Sequence, residues 1–183
     1  RILSVQFKNL NSLKGTWKID FTDPAYVSDG IFAITGPTGA GKTTILDAIC
    51  LALYGQTPRL ARITGADNQL MSKHTGDCFA EVVFQVTDKH GEMKKYLCNW
   101  SQHRAHGKAD GKLQNILHNL YDGESEESLP TDGSTVAEIT KLTKLGFDEF
   151  TRAVMLAQGE FSAFLKADDK QRARILEQIT NTT

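Results

Sequence analysis

The stretch 36–43, Gly36-Pro37-Thr38-Gly39-Ala40-Gly41-Lys42-Thr43, constrains this chain more than any other feature. It follows an apolar run, Ile31-Phe32-Ala33-Ile34, that predicts a strand. It precedes Thr44-Ile45-Leu46-Asp47-Ala48-Ile49, whose apolar spacing predicts a helix. Glycines at 36, 39 and 41 open dihedrals closed to other residues, so successive backbone N–H groups can wrap an anion. The helix that follows brings unpaired N–H donors and the positive end of its dipole to the same place. In that arrangement Lys42 reaches the β- and γ-phosphates of a nucleotide, and the Thr43 hydroxyl ligates a bridging Mg2+. Gly36, Pro37, Thr38, Gly39, Ala40, Gly41, Lys42, Thr43 and Thr44 are therefore the candidate phosphate-binding residues. An accidental match in a surface loop is opposed by the strand before and the helix after. The pattern is silent on which base is bound and on what the energy is used for.

With 183 residues, 40% hydrophobic and 23% charged, the chain reads as one globular domain over 1–183. A net charge of -1 excludes a globally basic protein, so nucleic-acid contact has to come from local patches or from an assembled partner. Cys50, Cys78 and Cys98 are odd in number and without Cys-x-x-Cys spacing, which argues for buried thiols over a disulfide framework or a zinc site. The opening residues have too short an apolar part for a signal peptide, and no apolar run approaches membrane-spanning length. The expected location is cytoplasmic, with no membrane partner.

Leu3, Val5 and Phe7 alternate with polar residues, as do Trp17, Ile19 and Phe21, which predicts a hairpin connected through 9–15. The helix after the glycine-rich loop should end near Tyr54, with Gly55 as its stop. Residues 56–77 read as loop with a short helix around 68–71. Val82, Phe84 and Val86 alternate, as do Tyr96, Cys98 and Trp100, with His90-Gly91 between them, so a second meander follows. Its exposed tip is placed at 102–112 and its returning strand at 113–121. Within that tip His103 and His106 lack acidic or thiolate company and read as solvated rather than metal-ligating. Arg104, Lys108 and Lys112 are either a phosphate-contacting tip for DNA or an ordinary solvated loop.

Thr135-Val136-Ala137-Glu138 has a capping-box pattern, and Val136, Ile139, Leu142 and Leu145 mark one apolar helix face up to Gly146. Phe147-Asp148 opens the next helix, 153–157 has strand character, and the run from about Asp168 is a charged amphipathic helix. A self-contained nucleotide hydrolase of this kind needs an apolar strand ending in an acidic residue that holds Mg2+ through water. No such strand is legible: Gln85 and Thr87 interrupt the approach to Asp88, and Asp47 sits inside the helix, facing solvent or a neighbouring loop. A base-reading Asn-Lys-x-Asp motif is also absent. The catalytic half is expected elsewhere.

ILSVQFKNLNSLKG, ITGPTGAGKTTILDAICLALYGQTPR, NWSQHRA and FTRAVMLAQGEFSAFLKADDKQRARILEQIT together resemble the N-terminal segment of the bacterial SbcC family. These are large ATPase subunits of nucleases, in the SMC-like branch of the ABC ATPases. The resemblance implies an α/β fold: the N-terminal lobe of an ABC-type ATPase head with an antiparallel β meander, ending at the root of a coiled coil from about 168. It implies ATP and Mg2+ as cofactors, and Gln158 as the glutamine that contacts Mg2+ and the attacking water, catalytic beside Lys42. Asn11 falls where relatives often place an Arg near the phosphates, and Ser72 and Lys73 match a region that approaches the nucleoside.

The implied partners are the C-terminal segment of the same polypeptide, a second copy of the head in a homodimer, a metallophosphoesterase nuclease subunit resembling SbcD, and double-stranded DNA. Lys170, Arg172 and Arg174 on the last helix are placed beside the DNA path, against the alternative that they pair with Asp169 and Glu177 on a solvated face. The expected function is ATP-driven head dimerisation that gates DNA access to the nuclease, in a nucleoid-associated bacterial protein. Two other readings stand beside it: an SMC-type DNA-tethering head without a nuclease partner, and a small-molecule kinase, which the missing acidic strand disfavours.

Overall fold

The computed structural model describes residues 1–27, 34–60, 63–88, 90–131 and 133–154. They fall in two units, one over Arg1–Thr143 and one that begins at Lys144. In the first unit β1 (Ile2–Leu10) and β2 (Leu13–Asp20) form the expected antiparallel hairpin. Its turn is tighter than a 9–15 connection. Leu10 pairs with Leu13, so Asn11 and Ser12 reverse the chain. Asn9 and Asn11 make this possible by adopting φ of 52° and 51°, the left-handed region that Asn tolerates better than most residues.

Pro24–Val27 makes a single helical turn, α1, and Lys42–Tyr54 the main helix, α2. β3 (Asp77–Thr87), β4 (Met93–His103) and β5 (Leu117–Asp122) complete a five-stranded sheet in the order β2-β1-β3-β4-β5, with every neighbouring pair antiparallel. Val5 faces Val82 and Phe7 faces Ala80 across β1 and β3; Ala80 faces Trp100 and Val82 faces Cys98 across β3 and β4. All six are buried on the face that α2 covers. From Ala48 to Tyr54 every residue of α2 is buried, as befits a helix enclosed by sheet and loops rather than one with a solvated face. Gly55 stops it in the left-handed conformation, its N–H bonded to the Leu51 carbonyl, as expected. Cys50, Cys78 and Cys98 are buried and form no disulfide with one another.

The remaining elements differ from expectation for identifiable reasons. No helix forms at 68–71: Asn68 Oδ1 accepts the N–H groups of Leu70 and Met71, both at 2.9 Å, a local turn that competes with helix. The returning strand is shorter than 113–121, running Leu117–Asp122, and Gln102 belongs to β4 rather than to an exposed tip. It is 1% exposed. α3 (Thr135–Thr143) buries Ile139, but its cap is Ser134, whose Oγ accepts the Ala137 N–H at 3.1 Å. Thr135 donates instead to the His118 carbonyl, so the cap stands one residue before the capping box read at 135–138, and Ala137 offers no polar side chain to complete a box there.

In the second unit α4 spans Phe147–Val154, so Ala153 and Val154 are helical rather than strand-like. Residues 31–33 of the strand expected before the glycine-rich loop, residues 155–157, Gln158 and the helix from Asp168 lie outside the described residues, and Ile34 is in no strand. Among the described residues no helix is long and apolar enough to cross a membrane.

Candidate phosphate-binding site

The glycine-rich loop enters α2 through Gly41, which stands at the N-cap with φ 87° and offers no side chain to the helix. A Cβ there would lie 2.8 Å from the Leu13 side chain, so both backbone conformation and space demand glycine. Gly36 and Gly39 also have positive φ, and the Ala40 N–H closes a turn on the Pro37 carbonyl at 3.2 Å. Among the described residues the backbone N–H groups of Thr38, Gly39, Gly41, Lys42 and Thr43 donate to no protein group, whereas Thr44 N–H donates to Gly41 at 2.9 Å. Open donors at a helix N-terminus are what a polyphosphate needs.

Lys42 extends its Nζ back over the loop, donating to the carbonyls of Gly36 at 2.6 Å and Pro37 at 2.9 Å. Thr43 is exposed at the first helical turn, where its hydroxyl could ligate Mg2+. Among the described residues no three His, Cys, Asp or Glu side chains gather to hold a metal. Thr44, by contrast, is 3% exposed and turned inward. Its Oγ1 accepts from Asn11 Nδ2 at 3.2 Å, so its side chain does not line the open loop.

Asn11 thus comes to the phosphate-loop helix, and Ser72 comes to Asn11. Ser72 Oγ donates to the Asn11 carbonyl at 2.8 Å, and its N–H donates to the Asn9 carbonyl. Its hydroxyl is committed to the fold, leaving exposed Lys73 as the member of that pair turned to solvent. Asp47 is fully buried, so of the two surroundings open to it in the sequence, solvent and a neighbouring loop, it has the loop. Its Oδ2 accepts from Asn11 Nδ2 at 3.2 Å and is ion-paired with Arg59. The loop carrying Arg59 is itself turned by Thr57, whose backbone carbonyl and hydroxyl both receive the Leu60 N–H.

Sequence reasoning misses Arg59 and Asp47 as site residues. The available signal is a lone carboxylate in an otherwise apolar helix, which must be paired if it is buried. Arg104 Nη1 donates to the Gly111 carbonyl at 3.0 Å, so one arm of its guanidinium fastens its own loop. Lys108 and Lys112 are outside that bond, Lys108 exposed and Lys112 on the same loop. Gln158, Lys170, Arg172 and Arg174 lie outside the described residues.

A buried polar cluster holds the 64–71 segment beneath the sheet. Gln102 donates through Nε2 to the carbonyls of Thr64 and Gln114 and accepts from Asn68 at 2.7 Å. Behind α2, His118 Nε2 lies 2.8 Å from the Ala52 carbonyl, which Cys98 also approaches at 3.0 Å, so the last helical turn is satisfied from β4 and β5. Burial pushes the His118 pKa below its usual value and holds the imidazole neutral, while the Ala52 hydrogen bond pulls the other way.

The family model described as AAA domain matches residues 4–183. The SbcC component of the nuclease SbcCD from Pseudomonas aeruginosa is 43% identical over 100% of this chain and 16% of its own length. The Rhodobacter capsulatus protein of the same name is 40% identical over the same shares. A probable DNA double-strand break repair Rad50 ATPase from Aquifex aeolicus is 31% identical over 96% of this chain and 16% of its own length. The chain therefore spans about one-sixth of the length of these relatives. A solved chain from work on ATP-driven dimerisation and DNA-stimulated activation of SMC ATPases superposes with a TM-score of 0.50 at 19% identity, covering 97% of this chain and 98% of that one. The shared architecture is the α/β N-terminal lobe of an ABC-type ATPase head.

Proposed function

Because the chain belongs to the AAA domain family, we propose that it is the ATP-binding half of the ATPase subunit of a nuclease complex that processes DNA double-strand ends. The observation that carries this reading is the glycine-rich loop itself, with open backbone N–H groups, an ammonium across its mouth and an exposed threonine hydroxyl at the helix start. ATP is bound by its phosphates: the open N–H donors of Thr38, Gly39, Gly41, Lys42 and Thr43 meet the anion, and Lys42 leaves the Gly36 and Pro37 carbonyls for the β- and γ-phosphates. The exposed Thr43 hydroxyl would help to hold Mg2+, which would supply charge neutralisation at the phosphates. Gln158 is proposed to position the attacking water.

An apolar strand ending in an acidic residue is not found among the described residues, and the relatives extend well beyond the length of this chain. Turnover accordingly requires the C-terminal segment of the same polypeptide and a homodimer of heads, which is isologous with two equivalent sites. Hydrolysis then gates DNA access to a partner metallophosphoesterase subunit. The names of the relatives, SbcC of the nuclease SbcCD and Rad50, support this assembly.

The test uses the full-length subunit. MgATP turnover should depend on head dimerisation, a metallophosphoesterase should copurify, and Gln158→Ala should depress turnover more than nucleotide binding. Copurification of no nuclease with ATPase activity intact would favour an SMC-type tethering head. Phosphoryl transfer to a small molecule instead of water would replace the reading altogether.

A further inference from the structure

The β1–β2 turn meets the phosphate loop at two places. Leu13 packs against Gly41, where an added Cβ would lie 2.8 Å from the Leu13 side chain and force it to shift. Asn11 is fixed by its main chain on both sides, donating its N–H to the Leu70 carbonyl at 2.7 Å and accepting at its own carbonyl from Ser72 Oγ at 2.8 Å. With the backbone held there, its amide points into α2, where Nδ2 is 3.2 Å from Thr44 Oγ1 and 3.2 Å from Asp47 Oδ2.

An amide nitrogen carries two hydrogens, and here each has an acceptor. Asn11 therefore has no donor left for a phosphate, although its position in the sequence suggested one. Thr44 Oγ1, with one lone pair filled by Asn11, has its rotor restricted inside the protein. Asp47 is the buried anchor, because the carboxylate that receives Asn11 also receives Arg59 from the 57–60 loop. Asp47 lies one helical turn beyond Thr43 and three residues beyond Thr44, so the anchor sits directly behind the first turn of α2.

We propose that Asn11 is a positioning residue for nucleotide, acting through Thr44 and anchored by Asp47, and that it fixes the helix turn whose N–H groups and Thr43 hydroxyl face the phosphates. The proposal rests on the phosphate-site reading above. It gives the β1–β2 turn a role in the nucleotide site without contact with nucleotide, and it ties the turn, the 57–60 loop and the 70–72 segment to one carboxylate.

The experiment measures equilibrium MgATP affinity and thermal unfolding of the full-length subunit. Asn11→Ala, which removes the bonds to both Thr44 and Asp47, should weaken nucleotide binding by about tenfold, because part of that loss reaches the helix turn at the phosphates. Asn11→Asp should weaken it further by setting two carboxylates against each other. Combining Asn11→Asp with Asp47→Asn, which restores one donor and one acceptor between positions 11 and 47, should recover part of that loss. Thr44→Val should weaken binding by a similar factor, and adding Asn11→Ala to it should cost no more than Thr44→Val alone.

Additive losses would make Asn11 a direct ligand and overturn the proposal. So would a fall in melting temperature with unchanged affinity in the folded protein, which would mark a purely structural role. Lys42→Ala separates the two levels of the argument. If it leaves binding intact, the phosphate-site reading fails; if it removes binding while Asn11→Ala and Thr44→Val do not alter it, only the positioning role fails.

Discussion

Lys42 Nζ lies 2.6 Å from the carbonyl oxygen of Gly36, six residues earlier, so the ammonium spans the mouth of its own loop. The two loop carbonyls hold a point charge where a polyphosphate would compete for it. Lys42→Ala should lower MgATP affinity of the full-length subunit by about a hundredfold, the scale of losing charge-assisted hydrogen bonds. Lys42→Arg should not restore it, because a planar fork cannot occupy the place of a compact ammonium. Titration with a fluorescent nucleotide reads both.

Gly41→Ala combines two costs that can be separated. The left-handed backbone at φ 87° costs an L-residue about 1–2 kcal/mol, and the new methyl meets Leu13 at 2.8 Å. Pairing it with Leu13→Ala removes the collision and leaves the backbone strain. Nucleotide affinity should therefore recover in part, whereas full recovery would show that sterics alone require the glycine.

Gln102→Leu should destabilise the fold by about 2–4 kcal/mol, because it strands the Asn68 amide and the carbonyls of Thr64 and Gln114 inside the protein. Urea unfolding monitored by tryptophan fluorescence would report it, since Trp100 lies buried on the same strand. A change below about 0.5 kcal/mol would mean that the cluster relaxes around leucine.

Stability should fall on acidification in a window set by His118. Its pKa is lowered in the folded state by burial, so below about 6.5 the unfolded chain takes up the proton first and the folded state loses ground. The contribution is complete above that pH, declines as pH drops through the window, and levels off below the folded-state pKa. His118→Gln should flatten this part of a stability–pH curve. The carboxylates Asp20, Asp88 and Asp122, all with pKa lowered chiefly by hydrogen bonds to nearby groups, act only at lower pH and so do not obscure it.

The three thiols should resist alkylation in the native protein at pH 8. Burial pushes Cys50, Cys78 and Cys98 each up to about 12, which leaves almost no thiolate, and none is exposed. Mass spectrometry after iodoacetamide should find them modified only once the protein is unfolded.

The sequence by itself determined the glycine-rich loop, the helix behind it with its Gly55 stop, the strand alternation of both hairpins and the burial of the cysteines. Those features depend on covalent constraints and short-period patterns, which lie within a few residues of one another. What only the tertiary structure decided is where polar side chains find partners. Asn11 meets Asp47 across 36 residues and Asn68 meets Gln102 across 34, and no spacing rule carries such pairings. The same reason takes Thr135 from helix cap to a bond with His118, and draws Gln102 out of an expected loop tip into the core. A buried amide or carboxylate must be satisfied by whatever the fold brings to it, and a helix turn is lost when a nearer side chain satisfies the backbone first.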